Sequence, residues 1–192
     1  MTPNAADPSQ HIWWLASRAS GLVALGLITA SVALGLAMAN KLWRGRNPAK
    51  LHEQLSLAGL VAIAVHGITL LGDPWLHPGV TGIVVPFTMG YRTVFTGLGI
   101  AAGYLSAALG LSFYLRRRIG AKLWRKLHRF TVAAYALALV HTLGAGTDAS
   151  TAWLRTFMLA TAVPIGVLFI ARFVPRPARG KRRTPSEARA QL

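Results

Sequence analysis

Apolar residues in this chain gather into five long runs, each near the ~20 residues needed to cross the hydrocarbon core of a bilayer as a helix. The runs cover Ile12–Ala39, Leu51–Leu71, Tyr91–Leu115, Leu123–Leu143 and Ala152–Phe173. Between them stand polar, glycine- and proline-bearing breakers, "RGRNPAK", "GDPWLHPG", "RRRIGAK" and "GAGTDAST". The first dozen residues carry no Lys or Arg, and the first run is too long for a signal-peptide core, so it is expected to stay as a membrane helix. The pattern therefore predicts an all-α integral membrane bundle of five transmembrane helices. It divides the chain into an extracytoplasmic segment 1–11, a membrane domain 12–173 and a tail 174–192, "VPRPARGKRRTPSEARAQL", whose basic, proline-rich composition predicts disorder.

Charge gives this bundle a direction. Eighteen of the 21 Lys and Arg residues lie in alternate connections and the tail, in blocks of four, seven and seven. The opposite side holds only Arg18, Arg92 and Arg155. The positive-inside rule then places the N-terminus outside and the C-terminus in the cytoplasm of a multi-pass plasma-membrane protein. The same distribution explains the formal charge of +16 without nucleic acid, since basic loops also attract anionic lipid. The six tryptophans agree: Trp13, Trp14, Trp75 and Trp153 fall at outer ends and Trp43 and Trp124 at inner ends, as an interfacial belt requires.

Composition removes several chemistries. A chain 53% hydrophobic and 14% charged lies outside the ordinary globular balance. With no cysteine there are no disulfides, no thiolate ligands and no covalent c-type haem. The only acids are Asp7, Glu53, Asp73, Asp148 and Glu187, none of them mid-helix, which speaks against a carboxylate relay for proton or cation transport. No glycine-rich nucleotide motif follows a strand, and no Ser, His and acid set at membrane depth points to hydrolysis.

Four histidines carry the chemistry. "HEQLSLAGLVAIAVH" places His52 and His66 fourteen apart, and "HRFTVAAYALALVH" places His128 and His141 thirteen apart. Depths match: His52 and His128 each follow a lysine by two residues, and His66 and His141 each precede an aspartate by seven. Both segments run from inside to outside, so the imidazoles form an inner pair, His52 with His128, and an outer pair, His66 with His141. At 1.5 Å per residue the two levels are ~20 Å apart. Neutral imidazole suits iron and haem iron has two axial positions, so one histidine from each of two facing helices clamps one haem. Two levels predict two haems and a route for electrons between the membrane faces.

The angles fit less well. Fourteen residues at 100° per residue end ~40° short of four turns, whereas thirteen leave His128 and His141 ~140° apart. Either the two haems approach that helix from different sides, or a bulge or local overwinding shifts its register.

The histidine spacings, with "SRASG", "YRTVFTGLG" and "LWRKLHRF", resemble the ferric reductase-like transmembrane domain over roughly Ile12–Phe173. That family includes the membrane parts of NADPH oxidases and ferric reductases, and the haem subunit of the bacterial periplasmic methionine sulfoxide reductase system. The resemblance implies two haem b groups with His52, His66, His128 and His141 as axial metal ligands. It also implies an oxidoreductase subunit passing electrons from a cytoplasmic NAD(P)H flavoprotein, with a flavin on that partner, or from quinol, to ferric iron, oxygen or an extracytoplasmic redox partner. Relatives often have six helices and a cytosolic FAD and NAD(P)H domain; these 192 residues have five predicted helices and no such domain.

Haem propionates need cationic partners, for which Arg18 and Arg92 stand at the outer side and Arg125 and Arg129 at the inner. Gly59, Gly67, Gly97, Gly99 and Gly103 are candidate approach points for a flat macrocycle, although small residues also serve helix packing. Tyr135 lies midway between the two levels, and "GVTGIVVPFTMG" is expected to cap the outer site. The competing reading is a non-enzymatic membrane anchor or small permease whose histidines are incidental.

Overall fold

The computed structural model describes residues 9–43 and 46–174, with side chains from residue 11 onward. Residues 1–8 of the expected N-terminal segment, Arg44 of the first basic loop and the tail from 175 lie outside the described residues. Among the described residues there are seven helices and no strand: α1 Ser9–Ala39, α2 Pro48–Leu70, α3 Gly79–Val84, α4 Thr93–Ile119, α5 Ala121–His128, α6 Thr131–Ala145 and α7 Ala152–Ile170. Local chemistry sets the boundaries. Asn47 takes a left-handed conformation ahead of Pro48, whose fixed φ suits a first helical position. Gly120, at φ 86, separates α4 from α5 where a side chain would be strained. Past α2, the Asp73 carboxylate accepts the backbone N–H groups of Trp75 and Leu76 at 2.9 and 3.0 Å, closing a turn.

Four helices, α1, α2, α4 and α7, are long and apolar enough to cross a membrane. The expected fourth span, Leu123–Leu143, is not one helix. It breaks at Arg129 and Phe130 into α5 and α6. Lys122, Arg125, Lys126 and Arg129 explain the break, because so many cations cannot sit in hydrocarbon, while Leu123 and Leu127 make α5 two-faced in the manner of a helix lying at an interface. Alone, α6 has 15 residues and a length of ~22 Å, short of the ~30 Å hydrocarbon layer.

Two helical hairpins organise the rest. α1 lies along α2 and α4 lies along α6, with fewer approaches between the two pairs. Gly59 lets α2 come close to α1, since a Cβ there would stand 2.7 Å from Cδ1 of Ile28. The buried core joins α1, α6 and α7 through Leu25, Val32, Leu36, Tyr135, Leu154 and Met158. Asn40 ties the C-terminal end of α1 to α7 by donating to the Leu168 carbonyl at 2.9 Å. Outward-facing Val61, Ile68, Val94, Leu159, Val163 and Val167 are 60–66% exposed, an apolar surface that water would reject and lipid accepts.

Candidate functional site

The fold brings the four histidines together as two pairs. The rings of His52 and His128 have centroids 6.0 Å apart with planes at 88°, and those of His66 and His141 are 6.4 Å apart at 73°. The two pairs read from the sequence, His52 with His128 and His66 with His141, are thus the pairs that form. They form although α2 and α6 do not pack along one another: α1 backs α2 and α4 backs α6. The imidazoles reach toward each other across the seam between the hairpins.

The thirteen-residue spacing is accommodated by the helix break. Arg129 and Phe130 keep right-handed helical backbone with ψ of −25° and −5°. Their N–H groups donate three residues back, to Lys126 and Leu127, and that of Val132 to Arg129. This is 3₁₀-type tightening, at ~120° per residue instead of ~100°, and four such steps recover ~80° of the ~140° offset. Of the two expected solutions, local overwinding is the one found.

Backbone carbonyls set the ring orientations. His66 Nδ1–H donates to the Ser17 carbonyl at 2.8 Å and His52 Nδ1–H to the Ser31 carbonyl at 2.9 Å, both on α1. His141 Nδ1–H donates to the Phe95 carbonyl on α4, also at 2.9 Å. A carbonyl only accepts, so these three rings carry their proton on Nδ1 and present an Nε2 lone pair. Among the described residues no Nε2 of the four histidines has a hydrogen-bond partner. The Ser17 and Ser31 hydroxyls lie 3.2 Å from the same Nδ1 atoms, and Ser31 bonds onward to Ser56 at 2.7 Å. An Nδ1–H held by a carbonyl behind a free Nε2 is the arrangement by which proteins orient metal-ligating histidine.

Glycines make these approaches fit. A Cβ at Gly21 would stand 3.0 Å from His66 Nδ1, one at Gly35 3.1 Å from His52 Cε1, and one at Gly99 would overlap the His141 ring. Of the glycines singled out from the sequence only Gly99 faces a histidine; Gly59 meets Ile28, Gly97 meets Phe87, Gly103 meets Ile63, and Gly67 meets nothing within 4 Å. Ser17, Ser31, Gly21 and Gly35 were not anticipated. Their signal was present in "SRASG" and "SVALG", two Ser-x₃-Gly units fourteen residues apart, the period of the histidines they support.

The donor set defines what could be held. Among the described residues no three His, Cys, Asp or Glu side chains converge, so each site offers two imidazoles and nothing more. Two donors suit a metal whose other positions are filled by a macrocycle. A metal to nitrogen bond of ~2.0 Å and ~1.1 Å from that nitrogen to the ring centre, taken twice, gives ~6.2 Å, close to both observed separations. The residues fit a bis-histidine haem at each level.

The cations behave differently from one another. Arg18 is committed: its guanidinium grips the buried Asp148 carboxylate at 2.7 and 2.5 Å and lies 5.1 Å from the Trp14 ring. Arg92 donates to the Gly144 carbonyl and lies beside Tyr91. Arg125, on α5, and Arg129, just after it, are exposed. Tyr135 is buried in the core, with its hydroxyl 3.4 Å from Thr29 and 3.5 Å from Thr161. The expected cap packs on α4, where Tyr104 donates to the Val84 carbonyl at 2.5 Å and Phe87 covers Gly97.

Comparison with protein-family models, curated proteins and solved structures found no match to this chain.

Proposed function

We propose that this protein is a membrane dihaem b-type cytochrome, an oxidoreductase subunit that carries electrons across the plasma membrane and depends on a separate donor. One observation carries the reading: four histidines scattered over 90 positions of sequence meet as two pairs at 6.0 and 6.4 Å, with no hydrogen bond to any Nε2 among the described residues. The resemblance to the ferric reductase-like transmembrane domain, carried by the same histidine spacings, agrees with it. When bound, haem supplies a one-electron iron couple whose potential follows its axial ligands and their surroundings.

The chain's residues hold and insulate. His52 with His128 serves the inner position and His66 with His141 the outer, the Ser17, Ser31 and Phe95 carbonyls fixing three of the rings. Fourteen residues of α2 set the levels ~20 Å apart. In this reading α5 and α6 together make the fifth crossing, the N-terminus is outside, and the basic tail is cytoplasmic. Arg92 at the outer end and Arg125 and Arg129 at the inner end are placed to meet haem propionates. Arg18 already has its anion. With haem bound, His52 and His128 would hold the group facing an NAD(P)H flavoprotein or quinol as donor, and His66 and His141 the group facing ferric iron or an extracytoplasmic redox partner as acceptor.

The test is haem content by pyridine haemochromogen on the detergent-purified chain, with its dithionite-reduced minus oxidised spectrum. About two haem b per chain are expected from the two bis-histidine sites. Either His66→Ala or His141→Ala removes the outer haem and leaves the inner. A colourless protein from haem-supplied cells, or a full complement in both variants, overturns the reading.

A further inference from the structure

Beside the His52–His128 pair stands a polar group that the fold leaves without a use. The Trp124 Nε1–H is buried and has no acceptor among the described residues. Buried donors in folded proteins are nearly always paired, so an orphaned one marks a place for an acceptor that the chain does not supply. The indole is firmly held. Trp124 lies one turn before His128 on α5 and stacks on its imidazole, with centroids 4.9 Å apart and planes at 28°. The Phe113 ring meets the indole at 5.8 Å and 61°, and the Arg116 guanidinium covers Phe113 at 3.7 Å.

Charge indicates what kind of acceptor fits. Arg125 follows Trp124 and Arg129 follows His128 in sequence, and neither has a carboxylate partner, since the one ion pair among the described residues joins Arg18 to Asp148. Glu53 is engaged elsewhere, accepting from the Tyr114 hydroxyl at 2.7 Å. Burial, and then the charge of Arg129, hold the Arg172 guanidinium below its ordinary range, so a further cation gathers near the same place. An indole N–H among uncompensated cations suits an anionic oxygen.

Resting on the bis-histidine reading above, we infer that Trp124 is a haem-binding residue, its Nε1–H donating to a propionate of the haem held by His52 and His128. An imidazole plane contains the axis from its nitrogen to the metal, so a group stacked on the imidazole face overhangs one sector of the macrocycle. A propionate on that sector brings its carboxylate to the indole and the arginines together. The phosphate of a lipid headgroup has the same oxygen chemistry but no reason to lie against an axial ligand.

The experiment titrates the full purified chain, in a His141→Ala background that keeps only this site, with haem and separately with haem dimethyl ester, which lacks the carboxylates. Trp124→Phe keeps an aromatic ring against His128 and removes the N–H. It is expected to weaken binding of haem about 10- to 100-fold, the effect of one hydrogen bond to a charged acceptor, and to leave binding of the ester unchanged. Should Trp124→Phe fail to fold, an isosteric benzothiophene in place of the Trp124 indole makes the same test. Unchanged haem affinity in the folded variant, or equal losses for haem and ester, shows that the indole only packs against His128; either overturns the inference and leaves the bis-histidine reading intact. Loss of co-purifying phosphatidylglycerol with unchanged haem affinity assigns the N–H to lipid and also overturns it. A wild-type chain that binds no haem overturns both.

Discussion

Arg18, in the N-terminal part of α1, and Asp148, in the connection between α6 and α7, form a two-point ion pair at 2.7 and 2.5 Å across 130 residues of sequence. The carboxylate is almost fully buried, with a side-chain exposure of 7%. Arg18→Gln leaves a buried anion without its partner, and Asp148→Asn leaves the guanidinium without its anion. Each substitution is expected to lower the thermal midpoint in detergent, and the double variant to lower it by less than the two combined. Because Arg18 is engaged with Asp148, Arg18→Gln is expected to retain the outer haem; loss of that haem at unchanged stability would restore Arg18 as a propionate partner.

Two glycines on neighbouring helices make a matched pair of tests. Gly99 faces the His141 ring, and Gly67, one residue after His66, faces open space. Gly99→Ala is expected to weaken outer haem binding about 10- to 100-fold, as loss of ligand orientation does elsewhere. Gly67→Ala is expected to leave it unchanged. Equal losses in haem-binding assays of the two variants would show that both act through helix packing.

The serines beside His52 and His66 are less important than their position suggests. Each hydroxyl lies 3.2 Å from Nδ1, but the carbonyl of the same residue is nearer, at 2.8 or 2.9 Å, and survives any substitution. Ser17→Ala and Ser31→Ala are expected to cost about 1 kcal/mol of stability or less and to keep both haems. Ser31→Ala is the costlier of the two, because it also strands the Ser56 contact. Loss of either haem in these variants, read from the pyridine haemochromogen, would move the anchoring role from backbone to hydroxyl.

The absence of cysteine makes topology easy to measure, since each introduced thiol is the only one. His77→Cys in the loop after α2 and Asn47→Cys in the loop before it are expected to label from opposite sides of intact cells. An impermeant maleimide should reach position 77 from outside and position 47 only after lysis. The reverse pattern would invert the proposed direction of electron flow.

The amphipathic α5 shows where reading the sequence as runs of apolar residues loses information. Leu123–Leu143 qualified as one span by length and hydropathy, yet its first third carries Arg125, Lys126 and Arg129 among the apolar positions. A charge-weighted reading would have divided it. The 3₁₀ turn itself was foreseeable only as one of two ways to reconcile thirteen residues with a shared face.

The sequence by itself determined the helical character with long apolar helices, and the pairing of His52 with His128 and of His66 with His141. Length, hydropathy and spacing along a helix are one-dimensional quantities, and depth in a bilayer is nearly their direct consequence. Tertiary structure alone decided what stands behind each imidazole. The Ser17, Ser31 and Phe95 carbonyls, the glycines that expose them, the stacking of His128 on Trp124 and the engagement of Arg18 by Asp148 all depend on which helix lies beside which. Every residue has a carbonyl, so its use as an acceptor leaves no mark on residue identity except the glycine four positions later, and that mark acquires meaning only when a neighbouring helix brings a histidine to it.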